Sequence, residues 1–170
     1  MITVEEFDRL EEEEFRYELD EGELITMTRA RASHARIEGR LFFAIQTYLN
    51  QNPVGEVIGS DILFVLGPTT KRAPDVSVVL RTFDPNLEIQ GAPELAIEIL
   101  SPSNRPRAMQ RKIGQYFAAG CRLVWVVDPG ARAVEVWTNL EAASRTLGES
   151  DTLEAPDLLP GFALPIAGLF

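Results

Sequence analysis

The residues with chemical potential are a few acids and one lysine in otherwise apolar surroundings. Glu98 lies within Leu95-Ala96-Ile97-Glu98-Ile99-Leu100, a run with the composition of a buried strand. A carboxylate there is costly to bury unless it is paired, protonated or bound to a cation. Strand alternation puts Leu95, Ile97 and Ile99 on one face and Ala96, Glu98 and Leu100 on the other. The plainer alternative is that the Glu98 face meets water. Asp75, in Arg72-Ala73-Pro74-Asp75-Val76-Ser77-Val78-Val79, follows a proline suited to a strand start, where a missing amide donor matters least. Two carboxylates on neighbouring strands are the minimum for a hard divalent ion such as magnesium, which prefers oxygen ligands and keeps several waters.

Lys112 sits beside Met109 and Tyr116 at helical spacing, at the edge of an apolar stripe. A lysine in that position can orient an attacking water or stabilise charge on a phosphate, or it can simply snorkel. Glu18, in Tyr17-Glu18-Leu19, is placed to turn inward as a further carboxylate. His34 is the sole histidine and stands next to a helix start, a position usually structural or exposed. Asp61 reads as a local hydrogen-bonding acid, with a supporting place near the site as the alternative.

Elements must carry these residues. Thr3-Val4-Glu5-Glu6 has capping-box spacing and predicts a first short helix. Phe15 to Ile25 fits two short strands around Asp20-Glu21-Gly22. Ser33 is a candidate cap for a helix with the stripe Ile37, Leu41, Ala44, Ile45, Tyr48 and Leu49, ended by Asn52-Pro53. Strands are expected at Glu56 to Leu66, Ala73 to Leu80 and Leu95 to Leu100. A helix capped by Ser103 or Asn104 and closed by Gly120 carries Met109, Ile113, Tyr116 and Phe117 inward. Leu123 to Val127 predicts a buried strand, with Ala133 to Trp137 returning as a hairpin after Asp128-Pro129-Gly130. Leu140 to Asp157 reads as loop with at most one strand, and the apolar end to Phe170 packs down. The expected class is α/β (α+β): a mixed sheet flanked by helices with hairpin extensions, in one domain spanning residues 1–170.

Composition narrows function. The net charge is −10, an objection to a nucleic-acid partner, whose affinity rests on Lys and Arg contacts to phosphate. The distribution answers part of it. Acids crowd the start, at Glu5, Glu6, Asp8 and Glu11 to Glu14, whereas no acid lies between Ile99 and Val127. That stretch holds Arg105, Arg107, Arg111, Lys112 and Arg122, and a weaker basic group comprises Arg29, Arg31, Arg36 and Arg40. One cysteine, Cys121, excludes an intrachain disulfide and a cysteine-based zinc site and fits a reducing cytoplasm. No apolar run reaches the roughly 20 residues that cross a bilayer.

Read in order, Tyr17-Glu18-Leu19, Gly22-Glu23-Leu24, Pro74-Asp75, Glu98-Ile99-Leu100-Ser101-Pro102-Ser103, Lys112 with Tyr116, and Val126-Val127-Asp128-Pro129 resemble the Uma2 family of restriction endonucleases, a branch of the PD-(D/E)XK superfamily. The resemblance runs from Val4 to Phe170. It implies a restriction-endonuclease-like fold, with Asp75 and Glu98 as ligands of Mg2+ or Mn2+, Lys112 as the catalytic lysine and Glu18 as a recurrent acid of less settled role. The superfamily's usual lysine position, two after the second acid, is Leu100 here, and Lys112 on the following helix takes its place. Family members often carry an acid four residues before that lysine, where this chain has Ala108.

The expectation is a magnesium-dependent endonuclease acting on DNA, with Arg105, Arg107 and Arg111 tracking the backbone. Asp75 and Glu98 converge on one pocket with Lys112 at its rim, and Lys112→Ala spares folding. A homodimer follows from the need for two sites to cut two strands. The alternative is a nuclease-fold module that binds DNA or a protein without cutting. A glycosidase built on the paired carboxylates fits poorly with the lysine and with acids placed on strands.

Overall fold

The computed structural model describes residues 1–10, 17–27, 30–102, 105–141 and 143–170. The acidic run Glu11 to Glu14, Phe15 and Arg16 of the first expected strand, Arg29, and the caps Ser103 and Asn104 lie outside the described residues.

The elements are α1 (Val4–Phe7), β1 (Tyr17–Asp20), β2 (Glu23–Thr26), α2 (Ala32–Gln51), β3 (Glu56–Ile58), β4 (Phe64–Gly67), β5 (Thr70–Arg72), β6 (Val76–Val79), β7 (Ile89–Gln90), β8 (Leu95–Ile99), α3 (Pro106–Ala118), β9 (Leu123–Asp128), β10 (Ala133–Trp137), β11 (Arg145–Leu147), β12 (Thr152–Ala155) and β13 (Leu159–Pro165), then a short 3-10 turn, Ile166–Gly168. Thr3 and Glu6 form the reciprocal capping box read from their spacing. In α2, Ile37, Leu41, Ile45 and Leu49 recur every four residues and are all buried. This helix starts at Ala32, one residue before Ser33, with Arg31 rather than Ser33 at the cap and no side-chain cap bond.

A six-stranded sheet runs in the order β11-β10-β9-β8-β6-β3. Its centre is the parallel pair β8 and β9, joined through α3, with β6 antiparallel to β8. Alternation divides two cores. Leu95, Ile97 and Ile99 of β8 and Leu123, Trp125 and Val127 of β9 face α2 and the C-terminal hairpin β12–β13. Ala96, Val124 and Val126 face Met109, Ile113 and Tyr116 of α3. Both faces are thus covered, which is why β9 reads as a continuous apolar run. Phe162 of the hairpin stacks on Trp125 at 6.2 Å, so the apolar end does pack down.

The second sheet, β2-β1-β5-β4-β7, corrects one expectation. The run from Glu56 to Leu66 is not one strand. The chain breaks around Asp61, whose φ is +71°, and sends β3 to one sheet and β4 to the other. The chain passes between sheets again at Ala73-Pro74-Asp75, from β5 to β6. Pro74 suits that step, since it has no amide donor to leave unpaired. The segment 140–157 holds two strands, β11 and β12, where at most one was expected. Among the described residues no helix is long and apolar enough to cross a membrane.

Candidate active site

The seam between the two sheets brings the chemistry together. Glu98, near the carboxyl end of β8, points toward α3. There Lys112 Nζ lies 2.8 Å from Glu98 Oε1 and 2.9 Å from Oε2, and the Tyr116 hydroxyl donates to Oε1 at 2.6 Å. Lys112 and Tyr116 are four apart, so one helical face supplies both donors. The same Nζ lies 2.9 Å from Oε1 of Glu18, delivered by β1 of the other sheet. Glu18 is further held by Arg72 at 3.0 Å and by the amide of Ala73 at 2.9 Å. Arg72 also reaches Asp20 at 2.7 Å, and Asp20 binds Gln115 and Arg111 of α3. Glu18, Arg72 and Glu98 are almost fully buried.

Asp75 stands at the other side of the strand end. Continuing the β6–β8 register by one step sets it opposite Glu98. Its Oδ2 accepts from the amide of Ile99 at 2.6 Å and lies 3.3 Å from His34 Nε2, brought in by the first turn of α2. Asp75 and Glu98 are therefore neighbours joined through charge, not through a shared bond, and the lysine is not at a rim. Lys112 sits deeper, at the centre of the acids.

The electrostatics follow from this packing. Burial pushes the Glu98 carboxyl up, to about 7; Lys112 pulls against that, and the charges of Asp75 and Glu18 add to it. Burial alone would lower the lysine, but Glu98 and Glu18 outweigh it and raise Lys112, which is therefore a permanent cation. Burial likewise raises the Tyr116 hydroxyl, as does Glu98, so it remains a donor. Glu18 goes the other way: Lys112 and Arg72 overcome its burial and hold it ionised. His34 is raised by its bond to Asp75, against burial.

Among the described residues no three His, Cys, Asp or Glu side chains stand close enough together to enclose an ion. A hard cation that keeps most of its waters needs only one or two carboxylates, and Asp75 with Glu98 meets that need. Four acids, Glu18, Asp20, Asp75 and Glu98, thus face Arg72, Arg111, Lys112 and the imidazole of His34. Asp75 and Glu98 are the two carboxylates that would hold such an ion, with Lys112 and Tyr116 already bonded to Glu98.

Arg105 and Arg107 are exposed at the start of α3. Arg111 is half exposed, with its guanidinium on Asp20. Asp61 forms the turn between β3 and β4. Sequence reasoning missed Arg72, Asp20, Gln115 and the weight of His34. A concavity of about 520 Å3 opens elsewhere, between α1, β4 and β7, and its acids Glu5, Asp8 and Glu88 do not suit a phosphate.

A family model described as "Putative restriction endonuclease", Uma2, matches residues 4–167. The chain belongs to the Uma2 family. The family's fold is seen in the crystal structure of "a putative nuclease belonging to DUF820" from Anabaena variabilis, which has a TM-score of 0.83 and 24% identity to this chain and covers 100% of it and 98% of its own length. Among curated proteins, none matches. The restriction-endonuclease-like mixed sheet expected from its motifs is present.

Proposed function

We propose that this Uma2 protein is a divalent-cation-dependent endonuclease that hydrolyses phosphodiester bonds of DNA, using Mg2+ or Mn2+. The observation that carries the reading is a partly buried lysine bonded to two buried acids beside a third, Asp75, at the carboxyl end of a strand in a nuclease fold. Asp75 and Glu98 would hold the cation, which supplies activation of water and neutralisation of phosphate charge.

The chain's own groups do the rest. Glu18, itself fixed by Arg72 and the Ala73 amide, positions the Lys112 ammonium. Lys112 has three protons to donate and carries its charge at any working pH, so it can turn one proton toward a non-bridging phosphate oxygen as charge develops there. Tyr116 fixes the rotamer of Glu98. Arg105 and Arg107, exposed at the α3 start, are placed to follow the phosphate backbone, which positions without reading sequence. Cutting both strands calls for a homodimer.

The test is incubation of supercoiled plasmid and single-stranded DNA with purified protein and manganese or magnesium, wild type beside Lys112→Ala. Cation-dependent nicking by the wild type alone is expected. Equal nicking by both would mark a contaminant, and salt-sensitive DNA binding without nicking would establish a binding module instead.

A further inference from the structure

The first turn of α2 carries His34 to the place where β6 begins and β8 ends. Its Nε2 lies 3.3 Å from Asp75 Oδ2, and the backbone of Ile99 also accepts from the ring. The Ile99 amide donates to the same Oδ2 at 2.6 Å. Two donors from different elements, α2 and β8, thus fall on one oxygen of Asp75, and neither uses Oδ1. The last torsion of an aspartate is soft, so an oxygen pinned twice selects one orientation of the carboxylate. The opposite ring nitrogen, Nδ1, is buried and has no hydrogen-bond partner among the described residues. Glu38 Oε2, one helical turn on, is 3.9 Å from it, beyond bonding distance. A buried polar atom without a partner is costly. A leucine at this position would extend the apolar stripe of Ile37, Leu41 and Ile45 without that cost. What the histidine contributes therefore comes through Nε2.

Resting on the cation-dependent reading above, we propose that His34 is a positioning residue: with the Ile99 amide it holds Asp75 Oδ2, and so leaves Oδ1 turned toward the cation beside Glu98. His34 is not itself a ligand. Its Nε2–H donates to Asp75 with and without the ion. A carboxylate already fixed in its binding orientation gives up less freedom when the ion arrives. Ile99 adjoins Glu98 in β8, so the same bonds fix the spacing of the two acids. Hydrogen-bond partners of ligating carboxylates are typically worth about tenfold to a hundredfold in metal affinity.

The experiment uses Mg2+ and Mn2+ alone before DNA is added. His34 is the sole histidine, so in untagged, isotope-labelled protein the imidazole signals of a proton–nitrogen NMR spectrum belong to it. On titration with Mg2+ the Nε2–H signal should shift as the cation binds and remain present throughout. Calorimetry with Mn2+ should find His34→Leu weaker by about tenfold or more. His34→Gln, whose side-chain amide can donate to the same oxygen, should stay within about threefold of the wild type. In plasmid nicking, the loss in His34→Leu should be recovered by raising Mn2+ about tenfold, because the bond bears on cation binding and not on the chemical step. The wild-type ring signal needs neither variant to fold. A ring signal unmoved by saturating Mg2+ or lost on its binding, wild-type Mn2+ affinity in His34→Leu, or equal weakening in both variants would each overturn the positioning role and leave the cation reading standing. Absence of any Mg2+ or Mn2+ binding at millimolar concentration would overturn both.

Discussion

Two lysines in this chain each lie between two carboxylates, and they differ in the exposure of the acids. Lys71 is 1% exposed and bonds Asp8 and Glu88, whose side chains are 40% and 48% exposed. Lys112 is 14% exposed and bonds Glu18 and Glu98, each only 7% exposed. Around Lys71, water screens whatever charge the lysine leaves over. Around Lys112 burial lifts Glu98 to about 7, and the charges of Asp75 and Glu18 add to it. A lysine between two acids is therefore not a site by itself. It becomes a candidate where the acids are buried, because there the fold holds charge that a ligand can relieve.

The sharpest way to break this contrast is Lys112→Met. The loss leaves Glu18 and Glu98 buried without their shared cation, and removing one partner of a buried ion pair costs about 3–5 kcal/mol. The expectation from sequence that folding would be spared is thus revised by the depth of the lysine. Urea unfolding at pH 8 should show the full cost. It should shrink toward pH 5, where Glu98 takes up a proton. Cleavage should fall at least about a hundredfold. A variant as stable as the wild type at pH 8 would mean that the acids around Lys112 are as well solvated as those around Lys71.

Glu98→Gln sharpens the comparison through pH. A carboxyl whose folded pKa is raised contributes stability that is whole below its unfolded value, near 4.5, and is lost as pH climbs through about 7. The wild type should lose up to about 3 kcal/mol across that window from this group. The glutamine variant keeps an acceptor for Tyr116 and should lack that loss. His34, also raised, adds a loss of the same sign in wild type and variant alike, so the difference between their pH profiles isolates Glu98. Parallel profiles from pH 4.5 to 8 would contradict the crowding of the three acids.

Much of this arrangement was legible in the chain because it follows from short-range rules. Alternation in Leu95 to Ile99 separated Glu98 from the core of Ile97, and helical spacing put Lys112 and Tyr116 on one face. What could not be read depends on distant parts of the chain meeting. Arg72 lies on a three-residue strand too short to show periodicity, and its partners Glu18 and Gln115 are 54 and 43 residues away. The split of Glu56 to Leu66 into two sheets rests on one left-handed residue, Asp61, inside an apolar run. His34 looked like an ordinary neighbour of a cap because nothing local marks Asp75 as its contact. Lys71, equally, gives no sign in sequence that it is more buried than Lys112.

Lys71→Met should have the smallest effect, and its size tests the comparison most directly. The Lys71 side chain is buried, with its ammonium over the Phe7 ring, so methionine of similar length can fill the same space. The change removes a charge from the interior and spares its desolvation. It leaves Asp8 and Glu88 at the surface, where water can replace the ammonium. Those terms oppose one another, and the net change should be within about 1 kcal/mol, in the range of exposed ion pairs. Lys71 faces the acid-lined concavity of Asp8 and Glu88, not the Glu98 side, so cation-dependent cleavage should be unaltered. Urea unfolding and plasmid nicking of Lys71→Met, run beside Lys112→Met, measure both. A cost above about 3 kcal/mol would place Lys71 in the class of fully buried pairs and show that the exposure of its acids does not screen it. An altered nicking rate with unchanged stability would mean that the two lysines are coupled across the second sheet, through neighbouring Arg72 to Glu18.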